Sequence, residues 1–358
     1  MTLPALIILI GFLYLNLGHA ISSGVSHADD AYMAIGSKNL AYGFGYGTTL
    51  TPDGSAGFVK YPAGYTTGPV LVVPVAAMIA VFGNKPWVPG VTTLLINGIL
   101  IFLLLCIIHK SNLSISFMVW MIVWLLMMYN LTAGKFFEHW NAMLGEMPAA
   151  LLSILGVFLV SVSNQNKNRF LLAGFVFGLA FMTKMVSLLG FLPVIIWLFI
   201  LLFRKRDHRK EGIKNLLQVL AAFLIPLLCF DIYKLADLGP AGYLNNYREF
   251  FAAFSQWHDP ATGGDRSGAG EFFSVIVKRF DTFGSTMGFS VAVLFLCLII
   301  AGILILKRSR YPAVQWSYVL LSSGFLLHFI WWSVLSSGRI RYLLIGLLLG
   351  VTALTIIV

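Results

Sequence analysis

Charge is scarce in this chain. Asp, Glu, Lys and Arg make up 11% of its 358 residues, while 59% are hydrophobic. A soluble core of this size does not need that much apolar sequence, and the mean hydropathy of +0.87 belongs to a polytopic membrane protein. Cysteine is nearly absent: Cys106, Cys229 and Cys297 each lie in an apolar stretch. Their spacing offers neither a disulfide framework nor a thiolate metal site, and they read as small core residues. No G-x-x-x-x-G-K-[ST] loop is present, so nothing points to an ATP-driven pump. The first apolar segment has neither a basic leading region nor a small-residue cleavage site, so Met1–Ile21 reads as a retained helix and not a signal peptide.

Apolar stretches of a length to cross about 30 Å of hydrocarbon are plentiful. The candidate spans are 1–21, 90–108, 115–131, 147–163, 170–183, 187–203, 216–233, 286–306, 312–335 and 342–358. The basic run Arg204-Lys205-Arg206-Asp207-His208-Arg209-Lys210, followed by Lys214, sets the orientation, because short loops rich in Lys and Arg stay in the cytoplasm. Lys307-Arg308-Ser309-Arg310 forms a second such loop. Counting from these, the cytoplasmic loops carry twelve basic residues against Asp207 and Glu211, a surplus of ten that equals the whole formal net charge of +10. The basic balance therefore reflects orientation and contact with anionic lipid, not nucleic acid. Pro69 to Gly83 is apolar but short, with Pro69 at its start and Pro74 inside. Read as a surface helix that does not cross, it leaves the loops 22–89, 132–146 and 234–285 on one outer face.

Ionisable residues at a membrane edge carry the chemical interest. Asp29 and Asp30 precede a helix-like run, Ala31 to Ala41, that ends in the glycine-aromatic turn Tyr42-Gly43-Phe44-Gly45-Tyr46-Gly47. Helix capping accounts for such a pair, and so does general-base chemistry, since adjacent like charges push one pKa upward. Glu146 stands one residue before an apolar run with Pro148 in its first turn, where a carboxylate complements the helix dipole. His27, Asp29, Asp30, His139 and Glu146 are residue types that permit a divalent cation, although their spacing is not a metal motif. Lys60 lies in a Gly-, Thr- and Tyr-rich stretch that can order against a sugar or phosphate, or simply snorkel. Lys184 joins two apolar helices, and a lysine there calls for an anionic partner or the interface. The 234–285 segment reads as a glycine-bearing outer loop. In the last outer loop Arg339 and Arg341 run against the positive-inside trend, which an anionic ligand or lipid headgroups would explain.

Taken together, these residues resemble a family. The carriers are Asp29-Asp30-Ala31-Tyr32 with Lys38-Asn39-Leu40-Ala41-Tyr42-Gly43-Phe44-Gly45, then Tyr61-Pro62, Thr67-Gly68-Pro69 and Phe82-Gly83, then Gly145-Glu146-Met147-Pro148, and the Arg-x-Arg-Tyr of 339–342. The pattern is similar to that of the GT-C superfamily of membrane glycosyltransferases, above all the branch with lipid A aminoarabinose transferases and related bacterial mannosyl- and arabinosyltransferases. The resemblance implies an all-α polytopic fold of about ten transmembrane helices, forming one domain over 1–358, with juxtamembrane helices in the first outer loop. It also implies a polyprenyl-phosphate sugar as donor, an acceptor glycan, lipid or protein outside the cytoplasm, and inversion at the anomeric carbon. On this resemblance one of Asp29 and Asp30 is the base, with Asp29 favoured. The spacing to Asn39-Leu40 is shorter than the family's, which leaves the choice open. Glu146 matches the second acid, Lys60 a basic residue facing the donor phosphate, and Arg339 and Arg341 the late arginines that neutralise the leaving phosphate. The arginine common in the family's first loop helix is absent, with Gly36 and Ser37 near its place.

The expectation is therefore a hexosyl- or pentosyltransferase of a bacterial inner membrane, working on the extracytoplasmic face, with no certain cofactor beyond a divalent cation that the residue types permit. Two other classes compete. A transporter or flippase for a lipid-linked glycan would carry charges through its helices and show related halves, whereas here the charges cluster in outer loops and no repeat is evident. An inactive envelope-assembly subunit would share the sequence pattern and lack the activity.

Overall fold

A computed structural model describes residues 3–25, 28–50, 56–63, 65, 67–110, 140–161, 168–204, 209–258, 277, 288–308, 312–334, 336 and 340–356. The described chain is helical apart from one hairpin. In order come α1 (Leu3–Ser23), α2 (Ala28–Ala41), strands β1 (Gly47–Leu50) and β2 (Ala56–Lys60), α3 (Pro69–Phe82), α4 (Trp87–Lys110), α5 (Glu146–Ser161), α6 (Asn168–Thr183), α7 (Leu188–Arg204), α8 (Arg209–His258), α9 (Gly288–Arg308), α10 (Pro312–Val334) and α11 (Leu344–Thr355). Single 3₁₀ turns, Met185–Ser187 and Ile340–Leu343, lead into α7 and α11. By length and composition, Trp87–Ile107, Met185–Phe203, Arg209–Ala253 and Pro312–Val334 can cross a membrane. The span expected at 115–131 lies outside the described residues.

The centre of the bundle is α5. It is apolar on every side, and all 16 of its residues are buried, as expected of a helix with no face left for solvent or lipid. It packs against α4, α6, α10 and α11, with Leu151, Ile154 and Phe158 meeting Phe177, Phe191, Phe325 and Leu348 in one continuous core. Helix α6 lies unusually close to α8, because at Gly174 and Gly178 any side chain would strike the facing backbone at Val219 and Phe223; an added methyl on Gly178 would also stand 2.6 Å from Pro226. Close approach replaces side-chain interdigitation there, as between membrane helices with small interface residues. Helix α3 has 14 residues, about 21 Å at 1.5 Å per residue, short of the roughly 30 Å of hydrocarbon. That length agrees with the non-crossing reading.

Three sequence expectations change. Asp29 and Asp30 do not precede their helix but sit inside the first turn of α2, which starts at Ala28. Residues 234–258 are not loop: α8 runs on to His258, broken where Gly239 takes φ 67. Gly239 supplies the left-handed conformation that ends one helical segment, and Pro240, with φ already helical, starts the next. The cysteines are not core residues, since Cys229 and Cys297 are exposed on apolar helices and Cys106 is half-buried.

The first outer segment folds on itself. The hairpin pairs Gly47 with Lys60 and Thr48 with Val59, antiparallel, with an irregularity before Leu50. It is fastened to α2 through the Gly47 carbonyl, which accepts from Asn39 Nδ2 at 3.0 Å and from Tyr65 Oη at 3.1 Å. Tyr65 in turn packs edge-on against Tyr32 of α2 and Tyr46 of the turn. Burial pushes the Tyr46 and Tyr65 phenols well above their ordinary pKa, so both rings stay neutral, Tyr65 as a hydrogen-bonding strut and Tyr46 as a packed ring.

Candidate active site

Four separate stretches of chain meet at one end of α5. Gly145 stands in the left-handed region at φ 84, and a Cβ there would lie 2.9 Å from the Thr183 carbonyl. Glycine is therefore required twice over, by conformation and by space. Gly68 meets the same corner from the other side: its N–H donates to the Thr183 carbonyl at 3.3 Å, and its α-carbon faces the Met182 carbonyl too closely for any side chain. The Thr67-Gly68-Pro69 and Gly145-Glu146 motifs thus close on the break between α6 and α7. They place Glu146, the first residue of α5, at the head of the most buried helix.

Glu146 is 2% exposed. Its Oε1 lies 3.1 Å from Lys184 Nζ, which also donates to the Leu144 carbonyl at 2.9 Å. Lys184 occupies the break itself, with extended φ −154, and is only 6% exposed. The anionic partner that the sequence demanded of this lysine is therefore Glu146. A buried pair of this kind holds only with good geometry and further hydrogen bonds to its charges; the Leu144 carbonyl supplies one.

The second pair is more open. Arg341, from the turn before α11, places Nη2 2.5 Å from Asp29 Oδ2. The Asp29 side chain keeps 41% of its surface exposed and that of Arg341 keeps 15%. Burial works against the guanidinium charge, but the hydrogen bonds to Tyr342 and Asp29, with the nearby Glu146 charge, more than offset it and hold its pKa above the ordinary value. The Tyr342 ring links the two pairs, with Arg341 Cζ 5.2 Å and Lys184 Nζ 6.0 Å from its centroid. Asp30 does something else. It is 3% exposed, and its Oδ1 accepts the Met143 backbone N–H at 2.5 Å, which ties the first turn of α2 to the segment leading into Glu146. Of the two adjacent acids, one therefore faces outward beside a cation and the other is buried as a strut. No periodicity in the sequence separates them.

Lys60 makes a separate ion pair. Its Nζ is 2.5 Å from Asp237 Oδ1 on α8, beside a cluster of Tyr46, Tyr61, Phe230 and Tyr233. Sequence reasoning singled out neither Asp237 nor Lys234, whose Nζ stands 4.6 Å from the Tyr247 ring centroid and 5.6 Å from that of Tyr61. Reading 234–258 as loop hid their helical spacing. Arg339, His27 and His139 lie outside the described residues. Among the described residues no group of three or more His, Cys, Asp or Glu could hold a metal ion, so the cation that the residue types permitted has no assembled site there.

The arrangement offers an accessible carboxylate held by a guanidinium, and next to it a buried acid neutralised by a lysine. Such a site can take a proton from a hydroxyl and present cations to an anionic leaving group. Comparison with family models and with curated proteins finds no match. Among solved structures, the chain is similar to ArnT from Cupriavidus metallidurans bound to undecaprenyl phosphate, with TM-score 0.59 and 14% identity over 98% of this chain and 59% of that one. It is likewise similar to ArnT of the same organism in the apo state, with TM-score 0.57 and 15% identity over 98% of this chain and 58% of that one. The chain thus spans somewhat under two thirds of the length of ArnT, and over that length it has the ArnT-like polytopic membrane fold.

Proposed function

We propose that the protein is a membrane glycosyltransferase that moves one sugar from a polyprenyl-phosphate donor to a hydroxyl of a glycan, lipid or protein acceptor on the extracytoplasmic face of a bacterial inner membrane. The observation that carries this reading is the Asp29–Arg341 pair, an exposed carboxylate and a partly buried guanidinium brought together from opposite ends of the chain. The ArnT structure with undecaprenyl phosphate supports the donor class.

In the reaction the acceptor oxygen attacks the anomeric carbon from the face opposite the phosphate. The bond from that carbon to the phosphate oxygen breaks, its electron pair leaves with the polyprenyl phosphate, and the configuration inverts. Asp29 takes the hydroxyl proton as general base. Arg341 turns from Asp29 towards the phosphate as negative charge grows on the leaving oxygen, which frees the base at the moment it is needed; Lys60 and Arg339 add further positive charge. Asp30 fixes the turn that carries Asp29. Glu146, held by Lys184, orients the acceptor. Most of the rate enhancement would come from positioning and from fixed cations aimed at the leaving phosphate.

The test is a transfer assay with membranes carrying the wild type, Asp29→Asn, Asp30→Asn and Glu146→Gln, and a panel of radiolabelled polyprenyl-phosphate sugars. The expected result is label transfer by the wild type that Asp29→Asn abolishes without loss of protein. Transfer indifferent to Asp29→Asn would remove the proposed base and with it this mechanism.

A further inference from the structure

The Lys60–Asp237 pair is the ion pair, among the described residues, that joins the end of the hairpin to α8, alongside the ring contacts of Tyr46 and Tyr61 with Phe230 and Tyr233. Lys60 is the last residue of β2, and the next residue, Tyr61, is a non-glycine held at φ 49. Such a conformation persists only where neighbours impose it, and it gathers at functional sites. Here the Tyr61 N–H donates to the Tyr46 carbonyl at 2.9 Å and its carbonyl accepts from Asn246 Nδ2 at 2.9 Å. Asp237 lies two residues before the Gly239 break in α8, and nothing stands within 4 Å of where a Gly239 Cβ would be. Beyond the break the helix folds back against its own first half, with Tyr247 Oη donating to Asp231 Oδ1 at 2.7 Å and Lys234 over the Tyr247 ring. A carboxylate two residues from a hinge with open space around it thus occupies the lysine that the proposed function gives to the donor phosphate.

We propose that Asp237 is a latch on that phosphate site. Without an anionic ligand it holds Lys60 against α8; a polyprenyl phosphate takes over the lysine, and Asp237 is released. This rests on the donor-phosphate role of Lys60. The pair is partly exposed, with 38% of the Lys60 side chain and 25% of the Asp237 side chain accessible. An ion pair of that kind favours its closed form by roughly 1.5- to 5-fold. Since a ligand's apparent affinity is reduced by the fraction of sites held closed, removing the latch tightens phosphate binding by about two- to sixfold.

The test measures binding of geranylgeranyl phosphate to the purified full chain in nanodiscs, with geranylgeraniol as a control for the tail alone. The variants are Asp237→Asn, Asp237→Ser, Lys60→Met and Lys60→Met/Asp237→Asn, and thermal melting establishes that each is folded. The latch predicts tighter binding in both Asp237 variants, weaker binding in Lys60→Met, and no further effect of Asp237→Asn once Lys60 is gone. Unchanged or weaker binding in the folded Asp237 variants, with Lys60→Met still weakened, overturns the latch and leaves the donor reading standing: Asp237 would then aim Lys60 at the phosphate. Phosphate binding indifferent to Lys60→Met removes the role of Lys60 in the donor site, and the latch goes with it.

Discussion

Replacing Lys184 tests whether the centre of the site is a buried charge pair or merely two residues in proximity. Lys184 and Glu146 have side chains 7% and 2% exposed, 3.1 Å apart, whereas Asp29 and Arg341 form a shorter but more open contact. Distance alone would make the second pair the stronger; burial reverses the order of what removal costs. Lys184→Met keeps the volume and apolar stem and deletes the charge. It leaves the Glu146 carboxylate buried without its cation, a loss of about 3–5 kcal/mol. Arg341→Met leaves Asp29 able to reach water, a loss of about 1 kcal/mol or less. Read as thermal melting of the purified protein in one detergent, the first falls by roughly 4–7 °C and the second by about 1 °C. The double variant Lys184→Met/Glu146→Gln removes the stranded charge and recovers about 2 kcal/mol or more of the single-variant loss, a coupling that a double-mutant cycle reports directly. Equal melting temperatures for Lys184→Met and Arg341→Met, or a cycle with no coupling, would refute the argument that burial decides the energetics of this site.

The adjacent acids separate in their effects. Asp29→Asn leaves melting within about 1 kcal/mol of wild type, while Asp30→Ala loses roughly 1–3 kcal/mol because the buried Met143 N–H is left without its acceptor; comparing melting with transfer for the two variants checks this. Gly178→Ala forces α6 away from Phe223 and Pro226 and costs about 1–3 kcal/mol, visible as lower melting with the Asp29 chemistry untouched. Tyr46 and Tyr65 hold their phenol protons more tightly folded than unfolded. Their contribution is complete below the unfolded value near pH 10 and is lost as pH rises through the higher folded values, so stability declines above about pH 10. Ultraviolet titration should show a fraction of the 13 tyrosines ionising only when the protein unfolds.

Much of the architecture follows from local sequence. Apolar runs free of charge can cross a bilayer only as helices, because their backbone groups must be satisfied internally, and α1, α4 to α7, α9 and α10 fall close to where those runs lie. Lys184 called, by cost alone, for an anionic partner or the interface, and the structure supplies the acid, Glu146. The break at Gly239-Pro240 was equally present in the sequence, but an interrupted helix and a glycine-bearing loop share the same residues, and helix packing onto the hairpin decided between them. Sequence could not decide which of Asp29 and Asp30 faces outward, since neighbours on a helix differ by about 100° in direction and the reference direction is set by the partners. Those partners are Met143, 113 positions away, and Arg341, 312 positions away. The chain's own order thus determined that it is a bundle of membrane helices with acids and cations at the ends. Only the tertiary structure decided which acid meets which cation, because charge pairing between helices depends on how α5 is buried and not on spacing along any one of them.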